Sequence, residues 1–272
     1  MSQRAFDAVA FDLDDTLLRD DLTISQNTLS VLRQAAARGV AVVPASGRAW
    51  ESMQPFVRQM DFTRVCIACN GAEVWDTREE KLLARQTFPL AVADAIVDFG
   101  SQRGFYLQTY WEGRFHYNEE GEWARSYAAS SMITGCLTPD VRGFIATHPT
   151  SKILMMAAPE DIASALQEAR AQFAGQASVT CSKPYFLEFN PPEATKGNAL
   201  ARCAALLGFS LERAVAFGDS LNDLSMLTAV GLGVAVANAR KEVRARCAAV
   251  CGSNNDDGVA IFLTEHLGEA AQ

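Results

Sequence analysis

Histidine is scarce in this chain of 272 residues, which carries only three. His116, His148 and His266 fall at no spacing that a metal site or a catalytic triad uses. Long apolar runs are missing too. The most hydrophobic stretches, 39–45 and 231–237, are strand-length and end in turn-forming residues, far short of the roughly 20 residues of a membrane span. The first residues lack the apolar centre of a signal peptide, so a soluble, cytoplasmic protein is expected, with no membrane partner. Positive charge is in deficit: 24 Lys and Arg face 32 Asp and Glu, for a net charge of −8. That balance disfavours nonspecific nucleic-acid binding, which works by neutralising phosphates. An acidic chain that takes a phosphate ester then needs local positive charge, from a metal or a placed Lys. Regular cysteine spacing is absent as well. Seven is an odd number, and the one close pair, Cys66 and Cys69, reads as small residues around an apolar strand. Cys247 and Cys251 read the same way. Internal repeats and low-complexity linkers are not found.

What is present is an ordinary globular composition, 49% hydrophobic and 21% charged, with length enough for a core domain carrying a second one. Apolar runs at 8–11, 40–43 and 65–68 alternate with helical stretches at 26–38 and 49–60. The same grammar returns late, with helix 196–207, strand 214–217, helix 222–227, and strands at 232–236 and 248–251. Continuous apolar strands alternating with helices predict an α/β fold with a Rossmann-like parallel sheet. Between about 81 and 185 the texture is more mixed and aromatic, with strands near 105–110, 114–117 and 152–156 among helices at 90–102 and 159–173. This reads as an inserted α+β cap domain at 82–185, leaving a discontinuous core of 1–81 and 186–272.

Four strand or helix ends carry polar clusters. After the first run comes Asp12-Leu13-Asp14-Asp15-Thr16-Leu17. Asp12 and Asp14 are two apart and share a side in extended backbone. Carboxylates so close repel unless a cation intervenes or one keeps a proton. Phosphoryl transfer can use both resolutions, one group as nucleophile and the other as acid. After the second run, Ser46-Gly47-Arg48 offers a hydroxyl and an amide at a helix start, a small anion cradle. Lys196 opens a helix, adding a cation to an end the macrodipole already makes positive. Gly218-Asp219-Ser220-Leu221-Asn222-Asp223 follows another strand and supplies the hard oxygen ligands Mg²⁺ prefers. Each segment alone also has a plain reading as a turn, a helix cap or a surface charge. In an α/β sheet, however, all four converge on one crevice at the carboxyl ends of the strands.

With these motifs the chain resembles the haloacid dehalogenase superfamily, and more narrowly its Cof-like, type IIB (C2-capped) sugar-phosphatase branch. Asn70-Gly71-Ala72, Lys196-Gly197 and Asn255-Asp256-Asp257-Gly258 belong to the same pattern. The resemblance implies an Mg²⁺-dependent phosphatase acting on small phosphomonoesters, such as sugar or cofactor phosphates. Asp12 would become an aspartyl phosphate and bind the metal. Asp14 would be acid and then base, with its carbonyl on the metal. Ser46, Gly47, Arg48, Lys196 and Asn222 would hold the substrate, while Asp219 and Asp223 complete the metal set. Three departures stand out: Asp15 where the branch usually has Gly, Ser46 where Thr is commoner, and Ala237-Asn238-Ala239 for Gly-Asn-Ala. In the insert, Tyr110, Trp111, Arg114, His116 and Tyr117 are candidates for substrate selection or a plain hairpin edge. A phosphomutase on the same scaffold and a phospho-acceptor signalling module are the alternatives. A monomer or homodimer is expected.

Overall fold

The structure, a computed structural model, describes residues 6–112 and 114–266. The chain starts with β1 (Ala8–Asp12), all five residues of which are buried. Full burial of an Ala-Val-Ala-Phe run requires cover on both sheet faces, and the sequence pattern already asked for it. β2 (Ala41–Ala45) and β3 (Val65–Ala68) add parallel strands, then β4 (Glu73–Asp76) and β5 (Lys81–Arg85) turn back as an antiparallel edge.

A second sheet follows, built from β6 (Tyr106–Trp111), β7 (Arg114–Tyr117), β8 (Thr134–Leu137), β9 (Ile153–Met156), β10 (Ser178–Thr180) and β11 (Phe186–Asn190). Its order is β10-β11-β9-β6-β7-β8, antiparallel except for the β7–β8 pair. The chain then returns to the first sheet with β12 (Ala214–Gly218), β13 (Leu232–Ala235) and β14 (Ala249–Val250). The completed order is β14-β13-β12-β1-β2-β3-β4-β5.

Two boundaries differ from expectation. β5 pairs with β4 in the first sheet, so that sheet runs to Arg85 rather than stopping at 81. β11 pairs with β9 and β10, so Phe186–Asn190 belongs to the second sheet rather than to the core segment that was to begin at 186. Both are short strands of mixed polarity, whose sheet is decided by the strand they pair with rather than by local pattern. Among the described residues no helix is long and apolar enough to cross a membrane.

The second sheet presents two unlike faces. Leu107, Ile153, Met155, Leu187 and Phe189 pack with the helices Leu90–Ser101 and Pro159–Gln172. The alternate residues, including Leu154, Phe186 and Glu188, point the other way, toward the strand ends of the first sheet. That phase places the second sheet as a roof over the crevice.

Candidate active site

β1 lies between β12 and β2, and the chain builds outward from it in opposite directions. Ligands of open α/β sheets bind at such a reversal, beyond the carboxyl ends of the strands. Asp12 ends β1, Ser46 follows β2, and Asp219 follows β12. Past Asp12 the backbone makes one wide turn, closed by the Leu18 amide donating to the Leu13 carbonyl at 2.8 Å. Asp15 sits in this turn at φ +56°, the left-handed region, which explains why Gly is usual there. Its carbonyl accepts from Asn238 Nδ2 at 2.7 Å, so the Ala237-Asn238-Ala239 variant keeps its one side-chain contact to the turn.

Asp12, Asp219 and Asp223 each bring an oxygen within 4.8 Å of the others. The fully buried Lys196 ammonium donates to Asp12 Oδ1, and to Asp223 Oδ1 at 2.6 Å. Asp223 is otherwise occupied, since its Oδ2 accepts the amides of Asp219 and Ser220 at 3.0 Å each. A Cβ on Gly218 would lie 2.6 Å from the Asp223 Cβ, so only glycine lets this loop close. Thr16 Oγ1 donates to Asp219 Oδ1 at 3.0 Å. Burial pushes the Asp12 carboxyl well above its ordinary range; Lys196 opposes this, and the neighbouring aspartates add to it. Asp219 is pushed up to about 7, first by burial and then by Asp223. Three carboxylates share one ammonium here, so the donor set fits a hard divalent cation.

Asp14 stands apart from that trio. Its two oxygens take Arg48 Nε at 2.8 Å and Nη2 at 2.7 Å, a bidentate pair. Asp12 and Asp14 both keep extended dihedrals, and the Asp14 charge is one of those that raise the Asp12 carboxyl. The cation beside Asp14 is therefore Arg48. Ser46 is fully buried and its Oγ accepts the Arg48 amide at 3.1 Å. Gly47, Arg48 and Asn222 line the cleft with Asp12, Asp14 and Asp219. Gly71, at φ +104°, lets its loop press on the helix start: a Cβ would come 2.2 Å from the Thr195 carbonyl oxygen.

The cleft has a volume of about 130 Å³. Its roof is formed by Tyr127, Ser130, Lys152, Lys183, Phe186 and Glu188. None of these was singled out from sequence. The residues that were, Tyr110, Trp111, Arg114, His116 and Tyr117, do not line the cleft. Tyr110 and Tyr127 share a hydroxyl hydrogen bond at 2.6 Å behind it, Tyr117 donates to Glu120, and His116 stacks on Phe144. The missed signal was the strand phase: apolar Ile153 and Met155 fix Lys152 and Leu154 on the opposite face. All seven cysteines are free, and Cys66 and Cys69 are buried.

Comparison with known proteins agrees with this geometry. A family model for haloacid dehalogenase-like hydrolases matches residues 9–263. The chain is 31% identical over 267 residues to a 5-amino-6-(5-phospho-D-ribitylamino)uracil phosphatase, YitU, of Bacillus subtilis, covering 95% of this chain and 97% of that one. It is 25% identical to the pyridoxal phosphate phosphatase YbhA of Escherichia coli, covering 95% and 98%. The solved structure of BT4131, a haloacid dehalogenase subclass IIB sugar phosphatase, shares the fold at TM-score 0.83 and 20% identity, covering 95% and 98%. The family match spans nearly the whole chain and agrees with the sheet and its strand-end carboxylates: the chain is an enzyme of the haloacid dehalogenase-like hydrolase family.

Proposed function

We propose that this enzyme hydrolyses small phosphomonoesters in two steps through an aspartyl phosphate on Asp12. The observation that carries this reading is the Asp12 carboxylate at the sheet reversal, fixed by buried Lys196 with Asp219 and Asp223 beside it. Asp12 attacks phosphorus and the bond to the leaving oxygen breaks. Asp14 hands its proton to the departing alkoxide, then takes one from the water that attacks the phosphoenzyme and restores Asp12. To hold that proton Asp14 gives up one of its two Arg48 bonds. Lys196, the Ser46 hydroxyl and the Gly47 amide offset the charge on the phosphoryl oxygens. Asp12, Asp219 and the Asp14 carbonyl would hold Mg²⁺, with Asp223 orienting the set through Lys196 and the loop amides. When bound, the ion would balance the surplus carboxylate charge and stabilise phosphoryl charge. Arg48 and Asn222 face the substrate from the core side.

Substrates of the two relatives are a ribitylamino heterocycle phosphate and pyridoxal phosphate, so a sugar or cofactor phosphate is the proposed class. The enzyme is proposed to act in the cytoplasm as a monomer or homodimer. The test is Mg²⁺-dependent phosphate release over such esters, run without a bisphosphate activator, beside Asp12→Asn. The variant is expected to lose about 10⁴-fold or more in kcat while melting as before. Undiminished turnover in that variant overturns the mechanism, and phosphoryl return to sugar without free phosphate indicates a mutase.

A further inference from the structure

The roof of the cleft holds a buried acceptor with nothing to accept. Glu188 is 3% exposed, and its Oε1 takes the Lys152 ammonium. Its Oε2 has no hydrogen-bond partner, and the residue lines the same cleft as Asp12. Lys152 is fixed in turn: it donates to the Gly47 carbonyl at 2.9 Å and sits over the Tyr110 ring at 5.7 Å. Buried polar atoms are nearly always paired, and an unpaired carboxylate oxygen is among the costliest to leave alone.

A second orphan faces the cleft from below. Asn190 Nδ2 donates to the Cys69 and Ser151 carbonyls, at 3.0 and 2.9 Å. Its oxygen therefore accepts Asn70 Nδ2 at 3.1 Å, and Asn70 Oδ1 accepts Asn222 Nδ2 at 3.0 Å. This chain of amides fixes the Asn222 orientation and leaves its Oδ1 without a partner. Both acceptors line one cleft together with Leu154, Phe186 and Tyr127, which asks for a ligand that donates hydrogen bonds and also carries apolar surface.

We propose that Glu188 determines substrate specificity, accepting through Oε2 a hydrogen bond from a hydroxyl or N–H of the ester's leaving group. This rests on Asp12 being the phosphoryl acceptor. Through Lys152 the carboxylate stands beside the Gly47 loop, so Glu188 reads the leaving group next to the phosphoryl site and disfavours esters carrying a second anionic group there. Lys152 is the positioning residue that holds the carboxylate in place.

The experiment compares kcat/KM for sorbitol 6-phosphate and hexyl phosphate, alkyl esters of equal length that differ in hydroxyl donors. In Glu188→Leu the ratio of the two is expected to fall about ten- to hundredfold, mostly through KM for the polyol ester. Glu188→Gln, which keeps a neutral acceptor, is expected to fall between. The double variant Lys152→Met, Glu188→Leu removes both charges and is expected to show the same collapsed ratio in a folded protein. An unchanged ratio, or an equal loss on both esters, overturns the assignment. Hexyl phosphate turnover that vanishes in Asp12→Asn establishes the phosphatase reading separately, so a flat ratio then removes Glu188 alone. A wild type that releases phosphate from neither ester overturns both.

Discussion

Two buried lysines each hold a carboxylate that lines the cleft, and their company differs. In the core, Lys196 meets Asp12 and Asp223 with Asp219 nearby, three carboxylates to one ammonium. In the roof, Lys152 meets Glu188 alone and spends a further proton on a backbone carbonyl. The core side is left short of positive charge, a condition suited to a cation, whose charge would in turn make room for a phosphoryl group. The roof side is balanced, so it adds shape and hydrogen-bond preference rather than field. Burial pulls Lys152 toward neutrality, but Glu188 and Tyr127 more than offset it, and the ammonium keeps its charge.

The sharpest way to break this contrast is Lys196→Met. It is expected to lower phosphate release by about a thousandfold or more and to cost about 3–5 kcal/mol of stability, because two buried carboxylates lose their cation. Phosphate assays and denaturant melts check both numbers. Lys152→Met should shift preference among esters instead; an equal loss of hexyl phosphate turnover would erase the distinction between the two lysines.

A smaller effect tests the charge deficit itself. Asp219 is raised to about 7 from an ordinary 3.8. An acid raised on folding adds stability fully below its unfolded value and loses it as pH climbs through the folded one. Metal-free protein is therefore expected to lose on the order of a few kcal/mol between about pH 4 and 7. Added Mg²⁺ should raise the melting temperature more at pH 8 than at pH 5. Equal gains at both pH values would mean the carboxylates do not take up the ion.

The core motifs were legible because each is local: an element and the polar residues at its end are contiguous in sequence. Asp12, Ser46, Lys196 and Asp219 could be found that way. Lys152 and Glu188 could not, since they meet only when β9 and β11 pair across intervening sequence. A lone charge in or beside a short apolar strand looks like a solvated edge until the sheet's partner is known. The role of Arg48 toward Asp14 was likewise hidden by a turn no periodicity announces. Membership of β5 and β11 in their sheets was hidden for the same reason.

The smallest predicted effect concerns Asp15. Asp15→Gly relieves a left-handed backbone at the expense of a floppier unfolded chain, for a net gain below about 1 kcal/mol in a thermal melt. A clear loss would show that the Asp15 carboxylate itself does something at the cleft it lines.

Ala8 pairs with Ala214, so β1 and β12 are neighbours in space while the whole roof separates them in sequence. During synthesis Asp12 leaves the ribosome early, while Lys196 and Asp219 follow only after the whole roof has been made. Until β12 docks, one flank of β1 shows an unpaired apolar edge, the kind of surface that seeds aggregation. Closing it demands long-range pairing, which folds slowly. A chain cut short before residue 214 would carry the roof, Asp12 and Lys196 but neither Asp219 nor Asp223, so the closing stretch of the protein completes the carboxylate set.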